Sequence, residues 1–240
     1  YLLIGLSLII ISILALKFGT IITSIMATVL VIGSHFLSKK KLRIFQSVFI
    51  LLITFALAFA VKYVYSDILP PHQKDRITIW LSLEKDPVKL EQMKQTIAYN
   101  LNESEKAIRS GGFTGKGFME GTRTTGKFVP EQHTDYIFST VGEEWGFLGS
   151  AFVVIIFVLL LLRILHLAEL QKSQFSRVYG YSVAAIIFIH FFINIGMVMG
   201  IIPTIGIPLP LFSYGGSGLW AFTILIFIFI KLDSNRINEW

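Results

Sequence analysis

The feature that most constrains the fold is a stretch of the chain, residues 178–230, that contains no Lys, Arg, Asp or Glu. About 20 apolar residues cross the hydrocarbon core of a bilayer, so this stretch is too long for one membrane span. Prolines at positions 203, 208 and 210 interrupt it. The pattern therefore predicts two membrane helices, near residues 178–202 and 218–230, joined by a bent connection.

Four further apolar runs occupy residues 2–16, 18–37, 44–61 and 145–162. The composition agrees with membrane spans, because charged residues make up only 15% of the chain, whereas a soluble domain carries about 25%. We therefore predict an all-α integral membrane protein with six transmembrane helices. Three of them lie in residues 1–64 and three in residues 145–240, and one large extracytoplasmic loop, residues 65–144, separates the two groups.

The start of the chain and its lack of cysteine limit other interpretations. With no cysteine, neither a disulfide framework nor a thiolate metal site can form. The chain opens on Tyr1 inside an apolar run, without the basic segment that begins a signal peptide. We expect that the chain begins partway through a larger protein.

The distribution of Lys and Arg predicts the orientation, since short cytoplasmic loops are enriched in both residues. Three short segments carry this excess, and alternation of the spans puts all three on one side, which we assign to the cytoplasm. The segment 65–144 then faces outside; it holds ten basic and twelve acidic residues, a net charge of −2. The overall charge of +6 is thus a topology signal, not a surface for nucleic acid. The basic residues are Lys39, Lys40, Lys41, Arg43, Arg163, Lys172, Arg177, Lys231 and Arg236.

The outer segment contains a predicted amphipathic helix. Asp86 is typical of an N-cap and Pro87 of the first helical position. Apolar residues then recur at helical spacing from Leu90 to Ile108, with charged residues between them. Such a helix can lie against membrane lipid at the headgroup layer or pack over the spans, and the pattern does not separate the two.

A glycine-rich stretch, residues 110–122, follows this helix and contains five glycines and Lys116. Backbone N–H groups in such loops can cradle a phosphate, and the lysine would add a positive charge. The spacing fits neither a Walker A loop nor a dinucleotide-binding fingerprint. The signal for a phosphate site is therefore weak when it stands alone.

Three ionisable side chains, Glu131, His133 and Asp135, lie within five residues just before the apolar run 145–162. A water–lipid boundary is where an enzyme would place its chemistry if its substrate had a polar head and an apolar tail. A structural alternative stays open, in which Thr134 caps a helix and Asp135 sits in its first turn, where the helix dipole favours an anion.

The connection between the last two predicted spans, residues 203–217, is uncharged and rich in Pro, Gly and hydroxyl groups. Non-helical backbone at membrane depth must be buried in protein or line a cavity, so we expect this loop to pack near a pocket. In the preceding span His190 and Asn194 share a helix face, and an interhelical hydrogen bond is the favoured interpretation.

Taken with these motifs, the chain resembles the SEDS family of bacterial cell-wall polymerases, and within it the RodA-type elongation proteins more than the division branch. The resemblance includes Arg76 followed by Asp86-Pro87, and a Pro-Glu-x-His-Thr-Asp core at Pro130 to Asp135. One departure is Arg109, which stands where the family usually has glycine. Further matching blocks are residues 107–108, 110–112, 115–118, 137–138, 143–149, 206–210 and 213–217.

The resemblance implies a peptidoglycan glycosyltransferase of about ten spans in the bacterial cytoplasmic (inner) membrane. It would polymerise lipid II, with Asp135 as the general base and Lys116 and Arg76 near the leaving pyrophosphate. Its implied partner is a class B penicillin-binding protein transpeptidase. No cofactor is certain, but the chemistry admits a divalent cation, Mg²⁺ or Mn²⁺. The other implied substrate-binding residues are Glu131, His133, Thr134, Ser213, Tyr214 and Ser217.

Two other function classes stay open. A flippase for lipid-linked precursors would also need apolar spans with polar breaks, but a transporter is expected to carry ionisable residues in mid-span, and only His190 qualifies. A non-catalytic scaffold of the cell-wall synthesis complex would not need Asp135. Polymer formation from lipid II separates the three.

Overall fold

The computed structural model describes residues 2–20, 22, 23, 25, 26, 29, 44–84 and 86–236. Within these residues the protein is helical and contains no strand. The chain divides into two compact units, Tyr1–Met93 and Lys94–Trp240. The all-α prediction is confirmed for the part of the chain that the structure describes.

The first unit contains apolar helices α1 (Leu2–Phe18) and α2 (Ile44–Tyr63), which pack against each other. One turn of π-helix follows α2, and helix α3 (Pro71–Leu81) begins with proline at its first position. The predicted span 18–37 and the basic loop that follows it lie largely outside the described residues. The three spans predicted in this part of the chain stay a prediction.

The predicted amphipathic helix is two helices, α4 (Pro87–Thr96) and α5 (Tyr99–Gly111), so the prediction of one continuous helix is wrong. The start of α4 was predicted correctly: Asp86 is its N-cap, since Val88 N donates to Asp86 Oδ1 at 3.0 Å. Across the break, Asn102 Nδ2 donates to Lys94 O at 2.9 Å. That side chain takes a carbonyl that the next helical turn would otherwise use.

The second unit also contains the short helices α6 (Thr122–Thr125) and α7 (Ile137–Glu144) and three long helices, α8 (Gly146–Glu169), α9 (Gln174–Val198) and α10 (Gly216–Asn235). The long helices contain 24, 25 and 20 residues and are apolar enough to cross a membrane. They correspond to the fourth, fifth and sixth predicted spans. Three candidate spans are thus found among the described residues, and the total of six stays a prediction.

Helices α8, α9 and α10 share an apolar core. Phe157 on α8 stacks on Phe191 of α9 with ring centroids 4.9 Å apart. Gly180 of α9 admits Phe229 of α10, because a Cβ at position 180 would lie only 2.5 Å from the phenylalanine ring. Close packing of this kind is how membrane helices associate, since the hydrophobic effect does not favour helix contact over lipid contact.

Helices α5 and α7 pack together where α9 ends and α8 begins. A Cβ on Gly111 of α5 would lie 1.9 Å from the carbonyl oxygen of Gly142 on α7, so the two backbones touch directly. A small apolar core joins them to the end of α9. This packing places the polar segments before α7 beside the connection between α9 and α10. The buried members of the core are Ala107, Val129, Tyr136, Phe138, Met197 and Val198.

Candidate functional site

Asp135 lines a pocket of about 210 Å³, which lies between the turn that precedes α7 and the connection between α9 and α10. The expectation that this connection packs near a pocket is confirmed. Five of the predicted site residues line it together, although they come from two distant parts of the chain. These are Thr134, Asp135, Ser213, Tyr214 and Ser217.

Two hydrogen bonds from the α9–α10 connection fasten it to the turn. Ser213 Oγ donates to Thr134 O at 2.6 Å, and the backbone N–H of Tyr214 donates to His133 O at 2.8 Å. Ser213 Oγ also accepts from Leu209 N at 2.7 Å, so its own loop orients the hydroxyl. Ser213 therefore holds the pocket wall in register with the turn that carries Asp135.

Asn194, fully buried near the end of α9, is the third link. Its Nδ2 donates to Asp135 O at 2.8 Å and to Ile207 O at 2.7 Å. The predicted interhelical hydrogen bond is therefore wrong: both partners are loop carbonyls. A side-chain amide has two N–H donors, so Asn194 satisfies both carbonyls at once, while its own Oδ1 is buried without a partner.

The turn before α7 is not a capped helix start. Helix α7 begins at Ile137, and its N-cap residue, Tyr136, makes no side-chain capping bond. The Oγ1 atom of Thr134 instead donates to Glu131 Oε2 at 2.9 Å, and Glu131 itself has a positive φ of 55°. The alternative in which Thr134 caps the helix and Asp135 lies in its first turn is thus wrong.

The surroundings of Asp135 raise the pKa of its carboxyl group above the ordinary value of 3.8, first through burial and second through the negative charge of Glu131. Space for the carboxylate depends on Gly206, where a Cβ would approach Asp135 Oδ2 to 3.1 Å. A carboxylate with a raised pKa is a stronger proton acceptor than a solvated aspartate.

A second polar cluster surrounds Glu143, which is fully buried at the end of α7. Its Oε1 accepts from Lys116 Nζ at 2.7 Å and from Arg123 N at 3.0 Å, and its Oε2 accepts from Thr124 N at 2.8 Å. Burial raises the pKa of Glu143, but the lysine and these backbone N–H groups outweigh it and lower the pKa to about 2. Glu143 therefore stays ionised at neutral pH.

The structure places Lys116 in this cluster. Its side chain is 26% exposed, and its ammonium group donates to Glu143 Oε1 and to Thr122 Oγ1, the latter at 2.8 Å. A lysine has three N–H donors, so these two bonds leave one donor for another oxygen. A predicted contact between Lys116 and pyrophosphate stays a prediction, and the observed role is to fix the glycine-rich loop on α7.

Three predicted site residues lie elsewhere. Glu131 and His133 flank the Asp135 pocket without lining it, and His133 Nε2 lies 3.3 Å from Gln132 Nε2. Arg76 lies on α3 of the first unit and is exposed. Its predicted role near pyrophosphate stays a prediction.

Sequence reasoning missed Glu143 and Asn194 as organising residues. The position of Glu143 could have indicated its role, because a glutamate just before an uncharged apolar run needs hydrogen-bond donors once its helix is buried against others. Asn194 had none beyond its place in an apolar span, because its loop partners are distant in the sequence. Across the described residues, no group of three or more His, Asp or Glu side chains could hold a metal ion.

A family profile described as "Cell cycle protein", FtsW/RodA/SpoVE, matches residues 1–238. The chain belongs to this family. Membership of the SEDS family, of which FtsW, RodA and SpoVE are the named members, was predicted from the motifs and is confirmed.

Several curated relatives of this FtsW/RodA/SpoVE chain are named peptidoglycan glycosyltransferases. MrdB of Escherichia coli (strain K12) is 40% identical over 148 residues, which cover 62% of this chain and 38% of the relative. RodA of Treponema pallidum (strain Nichols) is 35% identical over 170 residues, 71% of this chain and 38% of the relative. A probable FtsW of Shewanella sediminis (strain HAW-EB3) is 30% identical over 221 residues, 91% of this chain and 50% of the relative.

The relatives named MrdB and RodA confirm the prediction of a RodA-type protein. The chain spans 38% of the length of both. A solved structure described as "Structural coordination of polymerization and crosslinking by a peptidoglycan synthase complex" matches with a TM-score of 0.59 and 27% identity. The match covers 79% of this chain and 49% of the other.

Proposed function

We propose that the protein containing this chain is a peptidoglycan glycosyltransferase that polymerises lipid II during cell elongation, with Asp135 as its general base. One observation carries the proposal: the Asp135 carboxylate lies in a pocket where two loops are hydrogen-bonded together, beside the ends of apolar membrane helices. The relatives named peptidoglycan glycosyltransferase support the reaction class.

The chemistry requires a base beside the acceptor sugar. The acceptor 4-hydroxyl attacks C1 of the donor sugar, the bond from C1 to the pyrophosphate oxygen breaks, and undecaprenyl pyrophosphate leaves. Asp135 would take the hydroxyl proton, a role that its raised pKa favours. The fixed backbone around it supports this role, because a base held in one position loses little freedom in the transition state.

The remaining polar residues suit the two ends of the substrate. Ser217 and the exposed Tyr214 offer hydroxyl groups to sugar oxygens at the pocket wall. The hydroxyl proton of Ser213 goes to Thr134 O, so Ser213 would bind a sugar only by accepting from one of its hydroxyl groups. Lys116 and Arg76 remain the proposed cationic partners of the pyrophosphate. Mg²⁺ or Mn²⁺ stays part of the proposal as an aid to the leaving group, although among the described residues no three His, Asp or Glu side chains lie close enough to hold it.

The test of reaction class uses the full-length protein, purified and placed in lipid vesicles with lipid II. Glycan strands visible by gel electrophoresis are the expected product. Movement of lipid II between leaflets without polymer formation would favour the flippase alternative. Absence of both, in a folded protein, would favour the scaffold.

We also propose a class B penicillin-binding protein as the partner and the bacterial inner membrane as the location. The matched solved structure is that of a peptidoglycan synthase complex in which polymerisation and crosslinking are coordinated, which supports this pairing. Co-purification of the two full-length proteins from detergent and faster polymerisation in the pair are the expected results. A pair that neither co-purifies nor changes glycan synthesis contradicts the partner proposal and leaves the enzyme proposal intact.

A further inference from the structure

A second and larger pocket, of about 500 Å³, lies between the end of α5, helix α7, the start of α8 and the end of α9. It shares no lining residue with the Asp135 pocket. Its wall is mainly apolar, formed among others by Phe138, Phe147, Val154, Ile195 and Met199. Its volume is in the range of pockets that bind organic ligands.

Two polar groups in this pocket point to the chemistry of its occupant. Ser150 lines it, and its Oγ is buried without a hydrogen-bond partner in the structure. Buried hydroxyl groups are normally paired, and rotation of the Ser150 side chain about its Cα–Cβ bond toward the pocket would let its hydroxyl donate to an oxygen of a ligand. The oxygen of an ester is one such group.

Arg109 lies at the edge of the same pocket. Its side chain is 80% exposed, and its ion pair to Glu105 Oε2, at 3.3 Å, is an exposed pair on the same helix. Such pairs are weak, and a guanidinium has five donors, so Arg109 keeps most of its donors for an anion. Guanidinium groups bind phosphate oxygens well, often through two parallel hydrogen bonds.

The pocket sits where α8 begins and α9 ends, and both helices are apolar enough to cross a membrane. An occupant there would have its apolar part among the helices and its charged part at the polar boundary of the bilayer. We propose that this pocket binds an anionic membrane phospholipid, with an acyl chain on the apolar wall, an ester group near Ser150 and the phosphate on Arg109. The site goes beyond the proposed glycosyltransferase function and does not depend on it.

The test measures which lipid the full-length protein retains. The protein is purified in detergent and incubated with equal amounts of phosphatidylglycerol and phosphatidylcholine, and native mass spectrometry then identifies the bound lipid. The wild type should retain phosphatidylglycerol preferentially. Arg109→Gln should lower that preference about tenfold, the factor that about 1.4 kcal/mol represents. Lys127→Gln, which removes an exposed positive charge outside the pocket, should leave the preference unchanged.

A second pair of variants tests the apolar wall. Ala151→Phe places a ring in the pocket and should reduce retention of both lipids, whereas Val158→Phe, on an exposed part of the same helix, should not. Equal retention of phosphatidylglycerol by wild type and Arg109→Gln would overturn the proposal. Unchanged lipid retention by a monodisperse Ala151→Phe protein would also overturn it. A preference of the wild type for undecaprenyl phosphate over phosphatidylglycerol would do the same. So would an Ala151→Phe variant that retains lipid normally but fails to bind the membrane helix of a partner protein.

Discussion

Asp135 and Glu143 are carboxylates of the same short segment, and their surroundings move their pKa values in opposite directions. Glu143 accepts hydrogen bonds from an ammonium group and backbone N–H groups, so its pKa falls to about 2 although it is buried. In the described structure, the Asn194 amide donates to the backbone carbonyl of Asp135, and no hydrogen bond is seen at the Asp135 carboxylate oxygens. Glu143 is thereby suited to hold structure, and Asp135 to accept a proton.

Replacing Glu131 should change the pH dependence of glycan synthesis. The base acts when it is ionised, so activity is lost as the pH falls through the pKa of Asp135, which burial and the charge of Glu131 hold above 3.8. Glu131→Gln removes the second of these causes and should move the acidic limb of the pH–rate profile to lower pH. The measurement is polymerisation rate against pH with lipid II in excess.

The control for this shift is Glu120→Gln, which removes an exposed carboxylate of the glycine-rich loop that does not influence Asp135. Its profile should match that of the wild type. An acidic limb that stays in place in Glu131→Gln, or that moves equally in both variants, contradicts the assignment of this limb to Asp135.

Lys116→Ala should lower the stability of the protein by about 1–3 kcal/mol, because the buried Glu143 charge loses its ammonium partner. In a Glu143→Gln background the same substitution should cost much less, and a double-mutant cycle of unfolding measures the difference. Turnover should fall by about one to two orders of magnitude in both backgrounds if the remaining N–H binds pyrophosphate. Equal stability losses in the two backgrounds would contradict the ion pair.

At the scale of elements, the sequence predicted the three apolar helices well and the outer helices less well. Long uncharged runs such as residues 178–230 are predicted reliably as membrane helices. Lipid offers no hydrogen-bond partner, so the backbone N–H and C=O groups must pair with each other within the helix. The outer helix was predicted too long because apolar spacing continues through its break. The bond from Asn102 to Lys94 O, a contact made in the folded state, bridges the break between α4 and α5.

Gly111→Ala should destabilise the packing of α5 on α7. The added Cβ would lie 1.9 Å from Gly142 O and 2.8 Å from Glu143 O, and both are backbone atoms that cannot move without displacing the helix. We expect a loss of at least about 1–3 kcal/mol, the usual cost of overpacking. Thermal unfolding in detergent and the monodisperse fraction in size-exclusion chromatography measure it.

The matched control is Gly216→Ala at the start of α10, where a Cβ would meet no atom within 4 Å. It should unfold at the wild-type temperature. If the two alanine variants unfold together, the close approach of α5 and α7 is not a constraint on the fold.

For the whole molecule, the sequence selected several residues that line the Asp135 pocket but did not show how they meet. Glu131 to Asp135 and Ser213 to Ser217 were selected on residue type and resemblance, and the structure brings most of them to one pocket. The bonds that join the two parts span 59 positions, from Asn194 to Asp135, and 79 positions, from Ser213 to Thr134, so they leave no local pattern. Local chemistry is readable from short segments, whereas long-range hydrogen bonds depend on how the helices pack.

The predicted topology places Gln95 outside and Lys40 inside the cell, the latter outside the described residues. This orientation follows from the excess of Lys and Arg in the short loops, which are retained on the cytoplasmic side. A cysteine introduced at either position is the only one within these 240 residues, and the protein without an introduced cysteine gives the background labelling. A membrane-impermeant maleimide added to intact cells whose outer layers admit it should label Gln95→Cys and spare Lys40→Cys. The reverse labelling would contradict the orientation.

The most direct test of Asp135 as the general base is glycan synthesis by Asp135→Asn in the full-length protein. The variant keeps the size of the side chain and the backbone bond to Asn194, but it removes the proton acceptor. With purified lipid II, we predict polymer from the wild type and none from Asp135→Asn, while both proteins show the same thermal unfolding and the same association with the transpeptidase. Polymer formation at the wild-type rate by Asp135→Asn would contradict this role.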